Sequence, residues 1–373
     1  MSTRLLVAVS AAVILVGGPA GGAPRPPEVT CGACIVVDEG DRVLFARRPD
    51  ARLPMASTTK MVTALLVVDR AGLADTVSVS AAAAATGGGG LGLEAGETYT
   101  VEGLLYALLL SSSNDAAVAL AEHVEGSEAV FVSDMNEYAA ELGAERTAFV
   151  TAHGLDEPGH YSTARDLATI AAAVVEHPAL AEIVATPATT IPGRGGSIAV
   201  VNRNALLESY RGAVGVKTGY TLGAGNVLVG AAHRRGRLLI SVAMDSADAT
   251  ADTRLLLDYG FARLARTVLL RAGAVVGGFI AIDGSGTAVV ADGTVRGPYE
   301  RSDVEFVLEP APGRGGVVRG ERMGDVVVVH RGRPVGRVAA VAARDVASDG
   351  GTPWIVDALL AMVGGVAGLM GRS

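Results

Sequence analysis

Ser57 and Lys60 lie three residues apart in the segment PMASTTKMVTALL, residues 54–66, whose apolar spacing predicts a helix. At positions i and i+3 their side chains share one face of that helix. A serine hydroxyl is a weak nucleophile until a base removes its proton. A lysine is such a base only when burial or a second positive charge lowers its pKa. The pair therefore indicates nucleophilic catalysis, although a capping serine followed by a surface lysine gives the same pattern.

A hydroxyl and a carboxamide form the second candidate group, at Ser112 and Asn114 in LLLSSSNDAAVALAE. This segment ends one apolar helical run and begins another, so both side chains are predicted to lie at a helix junction. The serine can pass a proton to a leaving amine. The amide can hold a peptide group because it both donates and accepts hydrogen bonds. A simple helix cap made by serine or asparagine is the alternative.

The third group is Lys217, Thr218 and Gly219 in GVKTGYTLGAG, on the first of three late strands. The lysine and the threonine hydroxyl can bind a carboxylate, and the glycine leaves room for a substrate backbone to lie along the strand. Lys217 is also the second positive charge that would lower the pKa of Lys60. A plain hairpin turn is the alternative.

The elements that must position these groups follow from the periodicity of the chain. A hairpin is predicted over residues 33–48, a helix from Ser57 to about Asp69, and mostly helix over residues 101–190. Three strands and a helix follow from about residue 195. This order predicts an α+β fold with an antiparallel sheet and a helical block. A small all-β domain is predicted from residue 266.

The ends of the chain predict export and membrane attachment. Residues 1–23 contain a basic residue, an apolar run and then small residues, which is the layout of a secretory signal peptide; a retained anchor is the alternative. Residues 354–370 are apolar except for Asp357, which favours a membrane anchor that spans the bilayer or lies on it. A packed core helix is the alternative there.

Composition and cysteine spacing narrow the function. The net charge of −8 argues against a nucleic-acid partner, and only 4% of the residues are aromatic, so stacking platforms for bases or sugars are scarce. Cys31 and Cys34 have C-x-x-C spacing, but the segment after them predicts strands rather than the helix of a redox motif. We expect two structural cysteines, free or locally bridged.

The three groups occur in the order S-x-x-K, S-x-N and K-T-G, and they are predicted on a helix, a helix junction and a strand. In this order and these settings they resemble the three motifs of the penicillin-recognising serine enzymes. Within that family the chain resembles exported D-alanyl-D-alanine carboxypeptidases, which are low-molecular-mass penicillin-binding proteins, over roughly residues 30–345. The segments AHGLDEPGHYSTARDLA and RLLLDYGF also look like that family, and GDVVVVHRGRPVGRV resembles its C-terminal β domain.

The composition of the chain ends gives a signal peptide at 1–23 and an anchoring tail at 351–373. Between them the resemblance implies a serine β-lactamase/transpeptidase-like catalytic domain at 24–265 and a β domain at 266–350. It also implies action on peptidoglycan stem peptides that end in D-Ala-D-Ala, at the extracytoplasmic face of the cell membrane. β-Lactams would acylate the same serine. No cofactor, metal or nucleic acid is implied.

The resemblance also assigns roles to individual residues. Ser57 would form the acyl-enzyme, Lys60 would act as general base and Ser112 would move protons. The expected substrate-binding residues are Asn114, Lys217, Thr218, Gly219 and Tyr220. Within this set, Asn114 would hold the acyl side, and Lys217 with Thr218 would bind the terminal carboxylate. The backbone N–H groups of Ser57 and Tyr220 would form the oxyanion hole.

Two departures from the family pattern affect substrate preference. Ser113 stands where many relatives have glycine. The basic residue expected several positions before LLLDYGF is absent, because alanine stands near that place and Arg254 lies too close to the segment. We therefore expect carboxylate recognition to rest on Lys217 and Thr218.

Other functions remain open from the sequence. A D,D-endopeptidase that cuts cross-links is closest in chemistry, and a non-enzymatic wall-binding protein is conceivable because fold does not fix function. A class A β-lactamase would need an E-x-x-L-N segment, which the sequence lacks. A zinc peptidase would use His153, Asp156 and His160, although their spacing is not H-E-x-x-H. The run TGGGG is not followed by the Gly-Lys-Ser/Thr of a phosphate loop.

Overall fold

The protein is described by a computed structural model. The described residues are 24–193, 195–265, 267–280, 286–297, 299, 301, 304–311, 316–347 and 356–357. The predicted signal peptide lies outside them, and so does the predicted anchor apart from residues 356–357. Both remain predictions.

The N-terminal region is a mixed α and β structure. Its strands are β1 (Ala33–Asp38), β2 (Val43–Arg47), β3 (Thr76–Ser78), β4 (Thr98–Thr100), β5 (Ala188–Gly193), β6 (Gly196–Val201), β7 (Ala213–Thr221), β8 (Gly225–Arg234) and β9 (Arg237–Ser246). Its helices are α1 (Lys60–Arg70), α2 (Ala81–Ala84), α3 (Val101–Tyr106), α4 (Asn114–Glu125), α5 (Glu128–Glu141), α6 (Ala164–Glu176), α7 (Pro178–Ala185), α8 (Leu206–Ser209) and α9 (Ala249–Ala265). A 3₁₀ turn covers Ala56–Thr59, and a π-helical turn covers Ala107–Ser111.

Five of these strands form one antiparallel sheet in the order β2-β1-β9-β8-β7, so β7 lies at an edge. Strand β1 is buried along its whole length. Its alternate residues belong to two hydrophobic clusters, Ile35 to the helical block and Val36 to the face covered by α9. This alternation follows from the period of two along a strand. The predicted α+β class and the 33–48 hairpin are confirmed.

The helical block surrounds two almost wholly buried segments. Helix α1 buries every residue from Lys60 to Val67, and α4 buries every residue from Asn114 to Ala121. Both segments are rich in small and aliphatic residues, which allows helices to pack closely. A polar side chain at the first residue of either helix therefore enters an environment of low polarity.

The helical predictions differ from the structure in two places. Helix α1 begins at Lys60, and Ser57 lies in the 3₁₀ turn before it. The block predicted as mostly helical over residues 101–190 is interrupted between α5 and α6, where residues 142–163 contain no helix. Gly143, Gly154 and Gly159 have positive φ there, a conformation that favours glycine and stops a helix.

The strands after residue 266 form a second sheet-rich region. They are β10 (Thr267–Leu270), β11 (Val275–Ile280), β12 (Gly286–Ala291), β13 (Val295–Gly297), β14 (Glu305–Pro310), β15 (Arg322–His330), β16 (Arg333–Ala342) and β17 (Val356–Asp357). Six of them form a sheet in the order β14-β15-β16-β12-β11-β17, over a hydrophobic cluster of its own.

Two further predictions concern cysteines and membrane spans. Cys31 and Cys34 are joined by a disulfide and are both buried beside α9. Within the part of the chain that the structure describes, no single helix has the length and apolar composition of a membrane span. Only α6 and α7 together pass that test, and they are bent by 102°.

Candidate active site

Ser57 follows a residue with an uncommon backbone conformation. Ala56 has φ +49°, in the left-handed region that non-glycine residues rarely adopt. The Thr59 hydroxyl donates to the Ala56 carbonyl at 2.8 Å. The chain at Gly154 packs against the same carbonyl so closely that a Cβ there would lie 2.1 Å from the oxygen. These contacts hold the turn that presents Ser57.

Lys60 is completely buried and its amine is surrounded by oxygen atoms. Its Nζ lies 2.7 Å from Asn114 Oδ1, 2.6 Å from the His153 carbonyl oxygen and 3.0 Å from Ser57 Oγ. Burial lowers the pKa of Lys60 well below its usual value, and the positive charges of Lys217 and Arg203 lower it further. All three act in the same direction because each disfavours the ammonium form.

The geometry suits a neutral amine that acts as a base. A neutral amine has two N–H donors and one lone pair. The two shortest contacts are with oxygens that can only accept, Asn114 Oδ1 and the His153 carbonyl, so they take both N–H groups. The lone pair is left for the hydroxyl proton of Ser57. The predicted pairing of Ser57 with Lys60 is therefore present in space.

Ser112 and Lys217 form a second hydroxyl–amine pair. Ser112 ends the π-helical turn with φ +66°. Lys217 Nζ donates to Ser112 Oγ and to the Thr218 carbonyl, each at 3.0 Å. Burial, followed by the charge of Arg203, lowers the pKa of Lys217 to about 7. The neighbouring Ser113 is buried, so this departure from the family pattern adds no exposed side chain.

Asn114 connects Lys60 to the glycine-rich loop, which we define as residues 86–92. Its Oδ1 faces Lys60, while its Nδ2 donates to the Gly87 carbonyl at 2.9 Å and its backbone N–H to the Gly89 carbonyl at 3.0 Å. The next residue, Asp115, accepts backbone hydrogen bonds from Leu91, Gly92 and Leu93.

Strand β7 passes beside Ser57 at Gly219. A Cβ at that position would lie 3.2 Å from the Ser57 nitrogen and 3.1 Å from the Met55 carbonyl oxygen. A side chain there would push these neighbours away by a few tenths of an ångström, so glycine favours this approach. The side chain of the next residue, Tyr220, is 62% exposed. An edge strand with a glycine beside Ser57 can offer its backbone to an extended peptide.

These segments enclose a cleft of about 500 Å³. It is lined by Ser57, Gly88, Gly89, Ser112, Arg203, Thr218, Gly219, Tyr220, Asn226, Val227, Leu228 and residues 247–250. Five of the eight predicted site residues line it. The other three are Lys60, Asn114 and Lys217, which are buried behind its wall. All eight, drawn from three distant segments, thus lie in or directly behind one cleft.

Arg203 is a site residue that the sequence reasoning missed. It lines the cleft and contributes to the lowered pKa of both lysines. Its neighbours Asn202 and Asn204 fix the backbone with side-chain hydrogen bonds. An arginine between two asparagines just after β6 was the available signal. Ala247 and Ala249 also line the cleft and carry no charge, so the positive charge among its lining residues comes from Arg203.

The three residues of the zinc alternative are engaged in other contacts. His160 Nε2 lies 2.8 Å from Thr59 Oγ1, and His160 Nδ1 accepts from the Val150 N–H. Burial lowers the pKa of both His153 and His160 to about 4. Asp156 bonds to the turn after β7. Within the described residues, no group of His, Cys, Asp and Glu side chains has the arrangement needed to hold a metal ion.

A family model described as D-alanyl-D-alanine carboxypeptidase matches residues 21–248. The chain is 41% identical to D-alanyl-D-alanine carboxypeptidase DacB2 of Mycobacterium tuberculosis over 229 residues, which are 61% of this chain and 78% of that protein. It is 34% identical to D-alanyl-D-alanine carboxypeptidase DacD of Escherichia coli, over 74% of this chain and 76% of that protein.

The solved structures agree with these matches. Penicillin-binding protein 5 of Haemophilus influenzae superposes with a TM-score of 0.62 and 28% sequence identity. The superposition covers 87% of this chain and all of that one. The similarity therefore extends beyond the N-terminal region into the sheet-rich region.

Proposed function

This chain belongs to the D-alanyl-D-alanine carboxypeptidase family, and on that premise we propose that Ser57 is its nucleophile and Lys60 its general base. The protein is a serine-type D-alanyl-D-alanine carboxypeptidase, a hydrolase that removes the terminal D-alanine from peptidoglycan stem peptides and binds penicillin. It acts outside the cytoplasm. The following steps assign the reaction to residues.

Acylation begins when Ser57 Oγ attacks the carbonyl carbon of the scissile D-Ala-D-Ala bond and its proton passes to Lys60 Nζ. The developing oxyanion is bound by the backbone N–H groups of Ser57 and Tyr220, which lie on different elements. Each such donor contributes about 3 kcal/mol to transition-state stabilisation. Ser112 then delivers a proton to the leaving amine. The ammonium of Lys60 supplies the proton that replaces it on Ser112, so Lys60 is neutral again when D-alanine leaves, and the hydrogen bond from Lys217 holds Ser112 in place.

Deacylation uses the same groups in reverse. Water attacks the ester on Ser57, the neutral amine of Lys60 accepts the proton from that water and returns it to Ser57 Oγ, and the shortened stem peptide leaves. Lys60 is suited to both steps because its pKa is lowered and its two N–H groups stay bound to carbonyl oxygens throughout. This environment of the amine is the observation that carries the proposal.

The terminal carboxylate of the substrate is assigned to Lys217, Thr218 and Arg203. Two of these side chains line the cleft, and the amine of Lys217 lies directly behind it. A bound carboxylate also favours the protonated form of Lys217, whose pKa is lowered to about 7 in the free protein. Substrate binding and the charge on this lysine are therefore linked.

Mass spectrometry of the purified protein tests the proposal. With penicillin we expect a single stable adduct that peptide mapping places on Ser57. With a peptide ending in D-Ala-D-Ala we expect release of one D-alanine. An adduct on another residue would contradict the assignment of Ser57. Rapid loss of the adduct would indicate a β-lactamase, and cleavage only of cross-linked peptides would indicate an endopeptidase.

Replacing Arg203 with glutamine is expected to move the alkaline limb of the pH profile of kcat/KM to higher pH. The rate falls as pH rises through the pKa of Lys217, because the neutral amine no longer attracts the carboxylate. Removing the positive charge of Arg203 raises the pKa of Lys217, so the rate begins to fall at a higher pH. Loss of a charged partner also raises KM about tenfold near neutral pH.

Acylation rates measured from about pH 6 to about pH 10 provide this check. Arg254→Gln is the matched control, because Arg254 bonds to the Ser209 carbonyl and does not line the cleft. An unchanged alkaline limb in Arg203→Gln would contradict the assigned role of Arg203.

We also propose that residues 1–23 direct export and that the apolar tail, residues 351–373, attaches the protein to the membrane. Both rest on sequence composition. The full chain is expected in the membrane fraction of fractionated cells, and a chain ending at residue 350 in the soluble fraction. Recovery of the full chain in the soluble fraction would contradict the anchor.

A further inference from the structure

Asp156 joins two segments that reach the nucleophile from opposite sides. Its Oδ1 accepts from the Thr221 hydroxyl at 2.6 Å, and its Oδ2 accepts from the Gly223 N–H at 3.0 Å. The Thr221 oxygen in turn accepts from the Ala224 N–H at 3.0 Å. We call Asp156, Thr221 and Gly223 the loop–strand clasp. It closes the turn between β7 and β8 onto the loop of residues 142–163.

The loop side of the clasp leads directly to the general base. His153 lies three residues before Asp156, and its carbonyl accepts from Lys60 Nζ at 2.6 Å. Gly154 packs against the carbonyl of Ala56, the residue before the nucleophile. The backbone between these positions is held by the Leu155 N–H, which donates to His153 Nδ1. A displacement of the loop at Asp156 would therefore also move the His153 carbonyl, three residues away, to which Lys60 donates.

The strand side leads to the proposed oxyanion hole. Thr221 follows Tyr220, whose backbone N–H is one of the two proposed donors. The other donor is the Ser57 N–H, which lies on the 3₁₀ turn and not on β7. The two donors therefore belong to separate elements, in contact at Gly219. Their separation depends on how firmly the end of β7 is held against the loop and the turn.

Asp156 and Gly223 are closely packed as well as hydrogen-bonded. Gly223 lies against Asp156 so closely that a Cβ there would be 2.9 Å from Oδ2. Both carboxylate oxygens are used, one by a side chain and one by a backbone N–H. The carboxylate is itself exposed, so it is removable without opening the core.

We propose that Asp156 is a positioning residue for the carboxypeptidase reaction: through Thr221 and Gly223 it fixes the Tyr220 N–H relative to Ser57 and Lys60. The proposal rests on the proposed function. Asp156 touches neither substrate nor reacting atoms in this arrangement. Its effect appears in the transition state, because oxyanion-hole donors stabilise charge that develops only there.

The test compares purified full-length variants in two assays, acylation by a fluorescent penicillin and release of D-alanine from a D-Ala-D-Ala peptide. We expect Asp156→Ala to lower kcat and the acylation rate about tenfold while KM changes less than about twofold. Thr221→Val is expected to behave similarly, and Thr221→Ser to retain nearly full activity because it keeps the hydroxyl. The melting temperature of each variant is measured alongside.

The control is Glu157→Ala, which removes the neighbouring exposed acid and is expected to keep wild-type rates. In the double variant Asp156→Ala/Thr221→Val we expect no further loss beyond either single change, because both remove the same contact. The Thr221 pair tests the proposal even where Asp156→Ala is poorly folded.

Several results would overturn the proposal. These are an Asp156→Ala rate within twofold of wild type, a Thr221→Ser rate as low as that of Thr221→Val, or additive losses in the double variant. The wild-type protein in the same assays reports on the proposed function itself. A wild type that is neither acylated nor releases D-alanine contradicts that function, whereas an active wild type with an equally active Asp156→Ala refutes the clasp alone.

Discussion

Replacement of Ser57 by alanine is expected to lower the rate of D-alanine release by at least about 10⁴-fold. The change removes one oxygen atom, which is the atom proposed to form the acyl-enzyme. Lys60, the oxyanion donors and the carboxylate-binding residues stay in place. Activity that remains then comes only from binding and from stabilisation of the oxyanion during direct attack by water.

The measurement is D-alanine released under substrate saturation, together with intact mass after exposure to penicillin. Ser57→Ala should show no covalent adduct and a melting temperature close to that of wild type. Ser209→Ala is the matched control, since the Ser209 hydroxyl bonds within its own helix, to the Ala205 carbonyl. Release within tenfold of the wild-type rate would show that another group is the nucleophile.

Replacement of Lys60 by methionine is expected to lower the acylation rate about 10³-fold with little loss of stability. Methionine has similar length and no amine, so the base is lost while the packing of α1 is kept. Two effects on stability oppose each other. The native lysine has a lowered pKa, so at neutral pH folding must remove a proton that the unfolded chain holds, and methionine removes this cost. The carbonyls of Asn114 and His153 lose their donors, which is unfavourable.

Stopped-flow acylation by penicillin and thermal unfolding measure the two parts of this prediction separately. Lys60→Arg is the informative companion, because arginine keeps a positive charge and the donors but has no neutral form that can accept a proton. Both variants should fail to acylate at a useful rate. An active Lys60→Arg enzyme would mean that Lys60 acts through its charge and not as a base.

The site was predicted from three short motifs, each of which contains its chemical groups within a few residues. Ser57 and Lys60 are one turn apart, Ser112 and Asn114 flank a helix junction, and the glycine of K-T-G permits close approach of β7. Their spacing is local, so the sequence indicates it. That the three segments meet in one cleft came from the resemblance to a family, and the fold agrees.

Other parts of the site depend on long-range packing and had no local signal. The left-handed conformation of Ala56 is imposed by Thr59 and by Gly154, nearly a hundred residues away. Arg203 lines the cleft from the turn after β6, which Asn202 and Asn204 hold with side-chain hydrogen bonds. The loop of residues 142–163 supplies a backbone carbonyl to Lys60, and any residue type supplies that group. The periodicity of a sequence reports only on side chains, so it gave no sign of this contact between a backbone carbonyl and Lys60.

The glycine-rich loop limits how this enzyme is able to evolve resistance to inhibitors. A Cβ at Gly88 would lie 2.7 Å from Leu155, and a Cβ at Gly90 would lie 2.4 Å from the Asp115 carboxylate, so single substitutions there force neighbouring atoms to move. Gly89 has open space but φ +109°. Gly87 alone among the four has neither restriction. In a population under β-lactam selection, side chains that narrow the cleft should therefore arise rarely at Gly88 and Gly89, the two glycines of this loop that line it.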